Sequence, residues 1–146
     1  MDELARESWL NRVAATGLVV SKEAAPADVP PVLEALKSVV NWEVEPTATV
    51  RSDHPDALEE VDRQWLLQAE RCGLFGGDGL FLLSISGSGA SEFGWVVVKW
   101  AVGAVLAPRL ARPEEGLDFL AMSLDGKVVC AVTEEEDDYW IVVQQL

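Results

Sequence analysis

Residues 93–106, FGWVVVKWAVGAVL, leave a folded chain few options. Three consecutive valines lose rotamer freedom in a helix, and Gly103 costs a helix interior about 1 kcal/mol, so the run reads as a β-strand. As a strand it puts Trp95, Val97, Lys99 and Ala101 on one face and Val96, Val98, Trp100 and Val102 on the other. Both faces are mainly apolar, so the strand belongs inside a sheet that is at least partly covered on both sides. It is about twice the usual strand length of ~5–6 residues, which predicts a bulge or bend near Gly103 and a sheet curled around a core. The run is shorter than the ~20 apolar residues of a membrane helix and carries Lys99 near its middle, so no membrane span is expected.

The chain before this strand carries helical periodicity. Residues 2–15 place Leu4, Trp9, Leu10 and Val13 on one broad face, and Gly17 stops the helix. Residues 18–21 form a short apolar run, either a strand or a packed connection. Asp28 is the expected N-cap of a second helix, with Pro30 and Pro31 in its first turn. Val32, Leu33, Leu36 and Val39 or Val40 form its apolar stripe, and Asn41 or Trp42 ends it. Residues 42–51 alternate in part but are interrupted by Pro46, as in an edge strand. A third helix over 55–72 repeats Leu58, Val61, Trp65 and Ala69, and Gly73 supplies its C-cap.

From Gly79 onward the period changes to that of strands, expected at 80–86, 93–106, 117–124, 127–133 and 139–143. Gly87-Ser88-Gly89 reads as a hairpin loop, residues 108–116 as a loop bearing Arg109 and Arg112, and Asp125-Gly126 as a type I′ turn. Helices first and antiparallel strands afterwards mean α+β. The expected architecture is a single domain over 1–146. About three N-terminal helices (2–73) pack on a C-terminal curled meander of four to five strands (79–145).

Charge separates the function classes. Twenty-five acidic against eleven basic residues give −14, which argues against nucleic acid or an anionic membrane surface and favours a basic protein partner. Cys72 and Cys130 are far apart and form no CxxC, and His54 is the one histidine, so neither a metal site nor a cofactor is expected. The opening MDELARESWL lacks an apolar targeting region, which makes the cytoplasm the expected compartment.

No catalytic set assembles from these residues. The Gly87-Ser88-Gly89 segment lacks both the lysine of a phosphate loop and the spacing of a nucleophile elbow. His54 sits in Ser-Asp-His-Pro, a solvent-facing turn ahead of a helix. Glu134, Glu135, Glu136, Asp137 and Asp138 lack the spacing of a calcium loop. Placed beside Tyr139 and Trp140, however, they suit the grip of lysine or arginine by ion pairing and cation–π contact. The expected function is therefore a noncatalytic protein-binding module, for example an immunity protein against a toxin or an effector chaperone. The alternative is a ligand-binding or enzymatic domain with a pocket on the curled sheet near Lys99 and Trp95. A sheet edge also offers a route to a homodimer.

Overall fold

The computed structural model describes residues 2–85, 94–112 and 116–146. Four helices lie among them: α1 (Asp2–Ala14), α2 (Val32–Val39), α3 (Ala57–Arg71) and α4 (Ala107–Leu110). Seven strands are β1 (Val19–Val20), β2 (Ala48–Arg51), β3 (Leu80–Ile85), β4 (Val96–Lys99), β5 (Phe119–Ser123), β6 (Val128–Glu134) and β7 (Asp138–Gln145). They form one antiparallel sheet in the order β1-β4-β3-β5-β6-β7-β2. The α+β class is as expected. The strand count is larger because the N-terminal half contributes both edges, β1 against β4 and β2 against β7. These two strands are short, which limits the unpaired backbone they offer to other chains.

The sheet is buried on both faces. One face carries Phe81, Leu83 and Ile85 of β3, Val96 and Val98 of β4, Phe119 and Ala121 of β5, and Cys130 and Val132 of β6. Helices α1, α3 and α4 cover it through Trp9, Val13, Val61, Trp65, Ala69, Ala107 and Leu110. The other face carries Leu82, Val97, Leu120, Met122, Val129, Ala131 and Val142, covered by Ala35 and Val39 of α2 and by Val44. Alternate residues of β3 to β7 thus enter different cores, which explains their nearly unbroken apolar sequences.

The stretch 93–106 is not one strand. Pairing ends at Lys99, a turn follows at Val102 and Gly103, and the chain enters α4. Gly103 supplies a positive φ of 91°, and Val102 is fully exposed. The redirected segment is pinned from three elements: Val105 N–H donates to Thr16 O at 2.8 Å, Trp100 N–H to Gly79 O at 2.9 Å, and Leu106 and Ala107 N–H to Asp62 Oδ1 at 2.9 and 3.0 Å. Asp62, on the flank of α3, thereby caps the first turn of α4 inside what reads as a loop.

Smaller expectations are also corrected. Leu4 is exposed, because Trp9 and Val13 alone turn α1 inward with Leu10 at the margin. The N-cap of α2 is Pro31, and Asp28 lies in the turn before it. The β5–β6 turn has only Gly126 at positive φ, closed by Gly126 N–H to Ser123 O at 2.9 Å. A type I′ turn would require positive φ at both central residues.

Loss of the Asp62 cap should cost about 1–2 kcal/mol, as for other capping carboxylates. Asp62→Ala is expected to lower the urea midpoint accordingly while Asp62→Asn recovers most of it. Equal midpoints for Asp62→Ala and the wild type would refute the role.

Candidate functional site

The acidic segment is a tight hairpin turn. Strand pairing continues to Glu134 and Tyr139, and Glu135 N–H donates to Asp138 O at 2.8 Å, so only residues 135–137 lie outside the ladder. Ser52 anchors the turn from the β2 side, donating both its N–H (3.0 Å) and its hydroxyl (2.8 Å) to Asp137 O.

The five carboxylates are not equivalent. Glu134 Oε1 accepts from Leu117 N–H at 2.9 Å, while Glu134 N–H donates to Asp118 Oδ1 at 2.9 Å, lacing the start of β5 to the end of β6. Glu135 Oε2 accepts from the Thr133 hydroxyl at 2.9 Å. Glu136, Asp137 and Asp138 have no side-chain hydrogen bond among the described residues. Arg51 is the neighbouring cation, held 3.4 Å from Asp53. Its hydrogen bond and ion pair with Asp53, then the charge of Asp138, raise its pKa, and Arg51 in turn lowers that of Asp53.

Alternation separates the two rings expected beside this run. Tyr139 pairs with Val50 and packs on the α1/α3 core, whereas Trp140 pairs with Thr49 and packs on the α2 core. Both are half-buried. The turn therefore has one ring on each side of the sheet and no shared aromatic wall.

Lys99 is exposed, at the end of β4 between Val19 and Leu80. Trp95 is half-buried and donates its indole N–H to Pro30 O at 2.8 Å, fastening the covering segment to the sheet. His54 is exposed, and its Nδ1 accepts from Asp56 N–H at 3.0 Å. Gly87, Ser88 and Gly89 lie outside the described residues. Among the described residues no three His, Cys, Asp or Glu side chains are grouped to hold a metal ion, and no helix is long and apolar enough to cross a membrane.

Two features have no local pattern in the sequence. The first sets Cys72, half-buried after α3 with its thiol donating to Ala69 O at 3.5 Å, near Cys130, buried in β6. Interaction with the Cys130 thiol lowers Cys72 to about 7 against the opposing effect of burial, while the same interaction and then burial hold Cys130 well above its ordinary value. The second is a cleft of about 530 Å³ between the end of α2 and the end of β7, lined by Asn41, Glu43, Glu45 and Gln144 among others.

No known protein family matches the chain, no curated protein matches it, and no solved structure matches it.

Two measurements follow from these sites. Cys72 should alkylate with a midpoint near 7, and Cys130→Ala should move that midpoint up toward the ordinary thiol value of ~8.5. A midpoint unchanged by the substitution would show that the thiols do not communicate.

The Asp118 carboxyl is raised, first by burial and then by the charges of Glu134 and Glu135, against the lowering effect of Glu134 N–H. A raised carboxyl contributes stability that is complete below the unfolded pKa and is lost as pH rises through the folded value. Asp118→Asn keeps an acceptor and removes that loss, so it should melt slightly above the wild type at neutral pH. The gap should close below the ordinary carboxylate range. Asp118 retains solvent contact, which keeps the effect small. A lower melting temperature at neutral pH would contradict the argument.

Proposed function

We propose that this chain is a noncatalytic, acidic protein-binding module that docks a basic protein partner at the β6–β7 turn. An immunity protein opposing a basic toxin and a chaperone for a basic effector are the two concrete forms of this reading. Its main support is the set of carboxylates on Glu136, Asp137 and Asp138, which carry no side-chain hydrogen bond among the described residues in a chain of net charge −14. Carboxylates already committed to the fold would have to break contacts to bind, whereas these need only shed water. Such a field steers a cationic partner and raises its association rate, with strong sensitivity to salt.

Glu134 and Glu135 belong to the supporting frame, and Tyr139 and Trp140 stiffen the two sides of the turn. A pocket around Lys99 and Trp95 has less support, since Lys99 is exposed and the Trp95 indole is committed to Pro30.

The test is affinity capture from native lysate at low and high salt, comparing the wild type with the triple variant E136K/D137K/D138K. A basic protein held by the wild type at low salt should be shed at high salt, and the variant should retain roughly tenfold less. Equal retention by the variant, or an empty lane at both salts, would overturn docking at this turn.

A further inference from the structure

Helix α2 carries apolar side chains outside its buried stripe. Its inward side is Val32, Ala35 and Val39, yet Leu33, Leu36 and Val40, which repeat at i, i+3 and i+7, are exposed. Trp42, two residues beyond Val40, is 92% exposed, while the five other tryptophans are buried or half-buried. The fold holds Trp42 out. Asn41 Nδ2 donates to Lys37 O at 3.0 Å and its Oδ1 accepts from Glu43 N–H at 3.0 Å. Val44 N–H donates to Asn41 O at 3.1 Å and its side chain returns to the core. A turn closed at both ends in this way presents the indole at its apex. An exposed tryptophan two residues beyond an exposed aliphatic stripe has the composition of an interface anchor.

Charge selects the occupant. Exposed Glu34, Glu43 and Glu45 rim the stripe against one ammonium, Lys37, and none of the three carboxylates is ion-paired among the described residues. Glu43 and Glu45 also line the adjoining open cleft, whose volume of about 530 Å³ exceeds that of a lysine or arginine side chain. A second copy of the chain would bring the same carboxylates against their own images.

We propose that the outer face of α2, with Trp42 and this cleft, binds a basic amphipathic segment of a protein partner. The segment lays its apolar side on Leu33, Leu36, Val40 and Trp42 and places a cation beside Glu43 and Glu45. This rests on the protein-binding reading above but assigns a different surface.

The experiment titrates the full ¹⁵N-labelled chain with two probes of equal charge. One is a short helical leucine–lysine peptide, and the other is a serine–lysine peptide without an apolar face. The leucine–lysine peptide should shift the amides of 33–45 and move Trp42 emission to the blue. Trp42→Ala should weaken it by about tenfold or more, and the E43Q/E45Q pair should weaken it several-fold and flatten its salt dependence. In E136K/D137K/D138K the leucine–lysine peptide should still shift the amides of 33–45, and that shift should still depend on Trp42.

Shifts confined to 134–138, equal for both peptides and indifferent to Trp42→Ala, would overturn this proposal while leaving the acidic-turn reading intact. Self-association that shields Trp42 without peptide would overturn it in favour of a second copy. No shift anywhere with either peptide would overturn both.

Discussion

One indole hydrogen bond organises the larger core. Trp65 is fully buried and donates Nε1–H to Cys130 O at 3.1 Å, from the middle of α3 to the middle of β6. Its ring meets Phe75, Phe81, Trp100 and Phe119 at centroid distances between 5.5 and 6.3 Å. Truncating such a side chain typically costs about 3–5 kcal/mol, a large share of the stability of a domain this size. The contact also sets the rotation of α3. With Trp65 inward, Ala57, Val61 and Ala69 follow on the same side, Asp62 is carried to the flank where α4 begins, and Cys72 arrives beside Cys130. The capture of residues 100–107 and the meeting of the thiols are therefore both consequences of one helix register.

The second layer is thinner and is held differently. The eight residues of α2 reach the sheet through Ala35 and Val39, and the small Ala35 lets the helix backbone come close to it. Much of the remaining cover is irregular chain, so directional bonds do the fastening: Trp95 Nε1 to Pro30 O, Ser21 N–H to Val97 O, and the double bond of Asn41 across the end of α2. A short helix with a narrow buried stripe must expose the rest of its surface, and here that surface includes the apolar Leu33, Leu36 and Val40. The thin layer is thus where unspent hydrophobic surface accumulates.

Legibility followed the strength of local periodicity. Helix α3 could be read closely because its buried residues repeat every four positions over three turns. The strands β3, β5, β6 and β7 were legible from apolar runs bounded by turn residues. Residues 93–106 misled because β-propensity describes a residue's fit to a pleated surface, while the fate of 100–106 was decided by a carboxylate forty residues earlier. β1 has two residues and too little sequence to show a period. The stripe of α2 misled for a different reason: its apolar arc is wider than the part that is buried, and small Ala35 marks the buried side better than the larger leucines. At the turn, the acidic run was plain, but alternation alone already put Tyr139 and Trp140 on opposite faces. The structural use of Glu134 depends on Leu117 and Asp118, which no local pattern connects to it.

The two surfaces proposed to meet a partner lie at opposite ends of one strand. β7 starts at Asp138 in the acidic turn and ends at Gln145 in the lining of the cleft, seven residues later. At ~3.3 Å per residue the separation is roughly 25 Å. A single side chain or a short peptide turn is too small to satisfy both ends together. The turn offers charge without an apolar wall, which suits long-range steering and a high association rate. The α2 face adds an apolar anchor to its carboxylates, which suits a slow dissociation rate. A folded basic protein wide enough to cover both would gain the two properties at once, and an extended segment would have to choose between them.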